Sequence, residues 1–395
     1  MNRSPLARLD ACSARSYRWF LAGAGAALVG VLCWKLLSSR RFYIDLEVYR
    51  FGVRTLWNGG DLYGPMPPTS AGIGLPFIYP PFSTVVFAPF AAVPKDVAVV
   101  ASILLSVAAL AATLHLVFGW VLPNATMRRR TTLTVLVLPL AIVLEPVRAT
   151  IEFGQVNLWL MGLVAVDCLS REPRWPRGVL VGIAAAIKIT PAGFILFFLL
   201  RKDFRAAVTT VVTIVATAAI GFVVAPAASV RYWLDIVFGA SGQSGSAFAT
   251  NQTIAGELSR LGAGPVVDAA VWCVLLPAVL ISMITVIRRV GPAQALVTNA
   301  AGVLVLSPIS WSHHWVWIAP ALVVLVALAR PWLALVPVFV VGPHSLLPAG
   351  NHLEATWTWW QHLVGNAYLL IALATLFWTA ARLSPCSSRR RSLHG

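Results

Sequence analysis

Long apolar runs, parted by short gaps that carry arginine, constrain this chain more than any other feature. Val97–Val117, Ala206–Val224 and Val266–Ile287 each approach the ~20 residues a helix needs to cross the hydrocarbon core of a bilayer. Unpaired backbone polar groups are too costly in lipid, so such runs become helices or closed barrel strands. Barrel strands alternate apolar and polar residues, and these runs do not. The chain is therefore read as all-α, a polytopic membrane helical bundle with about 10–12 crossings of the bilayer. Composition agrees, because only 11% of the 395 residues are charged, against roughly 25% in soluble domains. So few charges could not cover a water-exposed surface.

A net charge of +16 would suggest nucleic acid in a soluble protein, but the positions argue otherwise. Arg128–Arg130, Arg171/Arg174/Arg177, Arg201/Lys202/Arg205, Arg288/Arg289 and Arg389–Arg391 sit in gaps between apolar runs. That is the bias of cytoplasmic loops, and no stacking aromatics interleave them as in a nucleic-acid groove. The cysteines (Cys12, Cys33, Cys168, Cys273, Cys386) are scattered, with no disulfide or zinc spacing. Trp19–Leu37 behind Arg3, Arg8, Arg15 and Arg18 could be a cleaved leader. Its length favours an uncleaved first span.

Hydropathy places spans near 17–37, 96–121, 131–146, 154–170, 206–227, 266–287, 294–308, 314–329, 332–349 and 363–381. Residues 178–200 are ambiguous: Pro191 interrupts them, Lys188 sits mid-run and basic loops flank both ends. If they form a hairpin entering and leaving on the cytoplasmic side, ten later Lys and Arg fall inside and only Arg231 and Arg260 fall outside. A single span would reverse that ratio, so the hairpin is expected, with both termini cytoplasmic. The chain then reads as one membrane domain over 1–395. It has a cytoplasmic N-terminus (1–16), an outer segment at 38–95, further outer segments at 228–265 and 350–362, and a basic cytoplasmic tail (383–395). Ten of the fourteen acidic residues lie on the outer side, which is where chemistry is expected. Trp357–Trp360 reads as an interfacial anchor.

Four polar constellations stand where spans meet outer loops. Asp45 and Glu47 in Ile44–Tyr49 are either solvated carboxylates or a working pair. Glu145-Pro146-Val147-Arg148, followed by Gln155 and Asn157, is either a turn with Arg148 at the headgroups or part of a site. Asn251-Gln252-Thr253 matches a glycosylation pattern, as does Asn124-Ala125-Thr126. His313-His314 in an aromatic belt could be inert or half of a metal site, although no second ligand cluster supports a metal. With Lys188, these groups converge on one outer cavity and exceed what a structural bundle needs. An acid there can act as general base toward a hydroxyl, and an arginine and a histidine can hold a phosphate leaving group.

The ordered series IDLEVY, LY at 62–63, LPFIYPPF, EPVRATIEFGQVN, GIAAAIKITP, NQTIAGELSRLG and LSPISWSHHWVW resembles the actinobacterial glycosyltransferase family 87 of the GT-C superfamily. Its best-known members are mycobacterial α-1,2-mannosyltransferases of phosphatidylinositol mannosides and lipomannan. The resemblance runs from about residue 40 to about residue 317. It implies a GT-C type bundle using a polyprenyl-phosphate-mannose donor and a lipid-linked mannoside acceptor. Transfer would be inverting, at the outer leaflet, with no cofactor, nucleotide sugar or metal. It also implies Asp45 as the base, with His313 and His314 catalytic. Tyr79, Arg148, Gln155, Asn157, Lys188, Asn251 and Gln252 would line the pocket. Where the family commonly carries histidine this chain has Glu47, a second carboxylate that would alter the acceptor site or the acidity of Asp45. The competing readings are a flippase or transporter of a polyprenyl-linked sugar, which calls for inverted repeats and a midplane site, and a transferase using another polyprenyl-linked sugar.

Overall fold

The computed structural model describes residues 14–37, 43–237 and 246–384. Most of the N-terminal segment, all but two residues of the basic tail (Arg389–Arg391 included), and 38–42 and 238–245 of the outer segments lie outside the described residues. The described residues form eighteen α-helices and no strand. Two isolated bridges pair Pro68 with Gly74 and Asn251 with Trp311. The chain is an all-α membrane bundle.

Helix α1 (Ala14–Leu37) precedes α2 (Ile44–Trp57), α3 (Ser83–Ala92) and α4 (Lys95–Val121). Residues 38–95 thus hold two helices, α2 and α3. Next come α5 (Met127–Val143), α6 (Glu145–Phe153), α7 (Asn157–Leu169), α8 (Val179–Ile187), α9 (Ile195–Leu200) and α10 (Phe204–Val224). The remainder are α11 (Pro226–Arg231), α12 (Ile254–Leu261), α13 (Pro265–Arg289), α14 (Pro292–Leu306), α15 (Ile318–Leu328), α16 (Val336–Val341), α17 (Trp359–Gly365) and α18 (Ala367–Leu383). Among the described residues, α4, α10 and α13 are long and apolar enough to cross a membrane unbroken. The pairs α5–α6 and α17–α18, bent by 75° and 74°, raise that number to five.

Other expected spans are realised in pieces. Residues 332–349 break into a 3-10 turn, α16 and a second 3-10 turn, because Pro337 and Pro343 cannot continue a hydrogen-bonded helix and Gly342 is left-handed (φ 69°). The core packs α7 against α4. Gly162 of α7 is so close to Ala109 of α4 that a Cβ on it would lie 2.8 Å from the alanine methyl. Close backbone approach is how helices gain dispersion contact where lipid supplies no hydrophobic drive.

The segment 178–200 turns back on itself. At its entry, Gly178 accepts a 3.1 Å hydrogen bond from Thr210 of α10, and Arg177 Nε lies 3.7 Å from Asp203, just past the exit. Lys188 lies between α8 and the 3-10 turn Thr190–Phe194, at the far end of the fold. Both feet therefore stand together, as a hairpin requires. The feet share their end of the molecule with other basic loops. Arg171 donates to Gly119 and stacks on Trp120. Arg201 donates to Ile287 and Val290, and Arg289 to Leu383.

Candidate active site

Helix α2 begins at Tyr43, which is itself left-handed (φ 46°). It places Asp45 and Glu47 in the first turn, where a helix N-terminus favours negative charge. Its buried face, with Leu46, Tyr49 and Val53, packs inward. The turn after α6 meets that face. Gly154 is left-handed (φ 68°), and a Cβ there would lie 2.7 Å from the Leu46 Cβ, so a side chain at 154 would separate the two elements. This turn aims Gln155 into a buried cluster. Its carbonyl accepts from the Tyr49 hydroxyl, its amide donates to the Tyr79 hydroxyl at 3.2 Å, and the two phenols lie 3.2 Å apart. Gln155 also hydrogen-bonds Asp45.

Asp45 is half-buried by its own surface, but the protein around it removes most of its hydration. That burial pushes its carboxyl up from 3.8 to about 7, although the Lys188 charge and the Gln155 hydrogen bond pull it down. Lys188, at the tip of the hairpin, sits beside Asp45 with its amine 3.1 Å from Asn157 Oδ1 and 2.9 Å from His314 Nε2. A donating ammonium makes His314 Nε2 the acceptor and leaves Nδ1–H for another partner. The His313 carbonyl accepts from Thr150 at 2.7 Å and from Asn157 Nδ2 at 2.9 Å. Its ring meets Phe153 and His314 edge-on. Four chain segments thus assemble Asp45, Gln155, Asn157, Lys188 and the histidine pair. A small cavity of about 40 Å³ runs inward from Lys188, His314 and Asn157 between apolar walls.

The other expected residues stand differently. Arg148 is half-buried and makes no hydrogen bond or ion pair among the described residues; its charge acts on Glu145 and Tyr368. Glu47 is engaged at both oxygens, one by Lys95 and the other by the Ser70 amide and hydroxyl at 2.8 and 3.0 Å. Asn251 and Gln252 are fully buried and bonded to the protein's own groups. Asn251 Oδ1 accepts from Ser310 N at 3.0 Å, and the Gln252 amide bonds Ala249 and Gly365. They brace the strand-like stretch that leads into His313. The tryptophan cluster also divides: Trp359 and Trp360 are exposed, but Trp357 is buried and donates to Pro348.

Two buried groups, Glu145 and Arg260, have bracing roles that the sequence does not reveal. Glu145 accepts from Ser312 and Tyr368, both at 2.8 Å, and so fixes the residue before His313. Arg260, only 1% exposed, donates to Glu257, Phe248, Asn251 and Asn366. Spacing does not announce the longest of these partnerships, Arg260 with Asn366 and Glu145 with Ser312 and Tyr368, because each joins residues more than a hundred positions apart. A lone acid before Pro146 and an arginine inside NQTIAGELSRLG were the faint signals.

The model of glycosyltransferase family 87 matches residues 77–308. This chain belongs to that family. The matched stretch includes Tyr79, Arg148, Gln155, Asn157 and Lys188, and stops short of His313. Curated relatives extend the likeness to nearly the whole chain. The polyprenol-phosphate-mannose-dependent alpha-(1-2)-phosphatidylinositol mannoside mannosyltransferase of Mycobacterium tuberculosis is 38% identical, over 95% of this chain and 93% of the relative. Its namesake from Mycolicibacterium smegmatis is also 38% identical, over 89% of this chain and 86% of the relative. A Mycobacterium tuberculosis phosphatidylinositol pentamannoside mannosyltransferase is 32% identical, over 89% of this chain and 84% of the relative. No solved structure matches. The chain is a multi-pass membrane glycosyltransferase.

Proposed function

We propose that this family 87 enzyme transfers mannose from polyprenyl-phosphate-mannose to a hydroxyl of a phosphatidylinositol mannoside or lipomannan, forming an α-1,2 linkage with inversion. The curated relatives carry that donor and a phosphatidylinositol mannoside acceptor in their names. The observation that carries the mechanism is Lys188 held against His314 and Asn157 beside a carboxyl whose acidity is shifted to about 7. Asp45 takes the proton of the acceptor hydroxyl as its oxygen bonds to the anomeric carbon. The bond from that carbon to the phosphate oxygen breaks, and polyprenyl phosphate leaves with the electron pair. Lys188, the Nδ1–H of His314 and Arg148 stabilise the phosphate that departs. A base with a pKa near ambient pH is well matched to this task. Positive charge from side chains replaces a metal, so chelation leaves turnover unchanged.

Incubating purified protein with radiolabelled polyprenyl-phosphate-mannose and a panel of mannolipids tests this reading. Label should pass to a phosphatidylinositol mannoside; transfer of a different polyprenyl-linked sugar, or of none, defeats it. The site is placed at the outer face, with both termini cytoplasmic. In a background lacking the exposed Cys273, Asn58→Cys should react with an impermeant thiol reagent in intact cells and Lys202→Cys should not. The opposite pattern would move the chemistry to the other side of the membrane.

A further inference from the structure

At the end opposite Asp45, a cavity of about 280 Å³ opens among the basic loops, lined by Trp120, Arg171, Arg177, Phe197, Arg201 and Asp203. The three guanidinium groups are not equally occupied. Arg177 is spent on structure, with Nη1 3.2 Å from the Asp167 and Cys168 carbonyls, Nη2 2.7 Å from that of Ser170, and Nε toward Asp203. It closes the C-terminus of α7. Arg201 uses Nη1 alone, on Ile287 and Val290, and Arg171 uses Nη2 alone, on Gly119 at 3.4 Å. Each therefore keeps donors unbonded among the described residues, and both are exposed. Asp203 is the one carboxylate in the lining, and Arg177 already shares it. The cavity thus carries excess positive charge on one side and buried apolar wall, Phe197, Phe198 and Cys168, on the other. Exposed Arg174 and Lys202 stand in the neighbouring loops, and exposed Arg205, Arg288 and Arg289 at neighbouring helix ends.

We propose that this cavity binds the phosphate of an anionic phospholipid, with its glycerol and first methylenes against the aromatic wall. Planar guanidinium groups suit phosphate oxygens, and basic pockets between membrane helices hold anionic headgroups. A soluble phosphate would satisfy the arginines but leave the apolar wall without a partner. The site also joins the feet of the hairpin, since Arg177 precedes it and Arg201 and Asp203 follow it. An occupant braces the element whose tip carries Lys188.

The test reads thermal stability, so it does not depend on which sugar is transferred. Protein purified in neutral detergent is titrated with short-chain phosphatidylglycerol, phosphatidylcholine or inorganic phosphate. Phosphatidylglycerol should raise Tm saturably by a few degrees, as expected of a ligand that binds only the folded state; phosphatidylcholine should not. The double substitution Arg171→Gln/Arg201→Gln should abolish most of that rise, and Arg174→Gln/Arg205→Gln should keep it. Equal rises with both lipids, or a full rise in the Arg171/Arg201 double variant, overturn the proposal. A rise with inorganic phosphate as large as with phosphatidylglycerol assigns the cavity to a soluble anion instead. Should the double variant fail to fold, native mass spectrometry of the wild type decides. One phosphatidylglycerol retained against excess phosphatidylcholine supports the site, and none retained refutes it.

Discussion

The two ends of the bundle divide their charges differently between side-chain and backbone partners. At the site end, several cations meet side chains: Lys188 meets His314 and Asn157, Lys95 meets Glu47, and Arg260 meets Glu257 and Asn366, while Arg50 and Arg54 bond carbonyls. At the basic end, arginines meet backbone carbonyls, as Arg177, Arg201 and Arg289 do at the C-termini of helices. Carbonyl partners stabilise helix ends and make no demand on chemistry. Side-chain partners leave charges whose protonation can change. A basic residue on this scaffold is therefore informative chiefly through the kind of atom it bonds.

The largest effect that would sharpen this contrast is expected at Asp45. Asp45→Asn keeps the shape and should cut turnover roughly 10²–10⁴-fold, the usual worth of a general base. Stability should move the other way. The folded protein holds the Asp45 carboxyl near 7 against an ordinary 3.8, so it favours the protonated form. The stability this provides is complete below about pH 4 and is lost as pH rises through about 7. The asparagine variant should thus melt higher than wild type at pH 8. Glu47→Gln, which weakens the pairing with Lys95, should lower Tm and leave turnover within a few-fold. Loss of transfer in Glu47→Gln with retention in Asp45→Asn would mean that the base is the other carboxylate.

Lys188→Met comes next, with a loss of roughly 10²-fold in kcat/KM, comparable to removing one donor from a developing anion. Donor KM should rise and kcat fall together, because the phosphate is held in ground and transition states alike. The Lys188 charge lowers the pKa of Asp45 toward 7. The acidic limb of the rate profile, near pH 7 in wild type, should therefore move to higher pH in the variant. Gln155→Ala should move it the same way by less. An unmoved limb in both would detach Lys188 and Gln155 from the base.

The smallest effect belongs to the basic end. Arg177→Met removes several carbonyl hydrogen bonds, each worth about 0.5–1.5 kcal/mol net. It should lower stability by about 1–3 kcal/mol, with kcat/KM within a few-fold once the protein is folded. A drop in turnover as large as that of Lys188→Met at unchanged stability would erase the distinction between the ends.

Much of this was legible from residues alone, and the reason differs by feature. The apolar runs fixed the all-α membrane class because lipid permits little else. The arginine count favoured a hairpin at 178–200, and Arg177 beside Asp203 shows that the segment does turn back on itself. Asp45, Gln155, Asn157 and the histidines were visible as polar groups at span ends and Lys188 as a charge inside an apolar run, and they do meet. The partner of Glu47 was not visible, because Lys95 lies 48 residues away at the start of a helix read only as a span. Asn251 and Gln252 looked like a binding motif because buried amides that brace a loop have the same composition as amides that line a pocket. Hydropathy also overlooked the breaks around Pro337 and Gly342, since it sums side chains and ignores φ.

The hairpin also fixes an order of assembly. Lys188 emerges 31 residues after Asn157 but 126 before His314, so its tip enters the membrane region long before its last partner is made. A nascent chain halted ahead of residue 312 carries a half-matched amine at the apex of an apolar loop, with no histidine pair to receive it. Completion of the contacts around Lys188 is thereby deferred to the last third of the chain. A product truncated before residue 312 lacks the histidine pair and leaves Lys188 without the ring nitrogen that it bonds in the full chain.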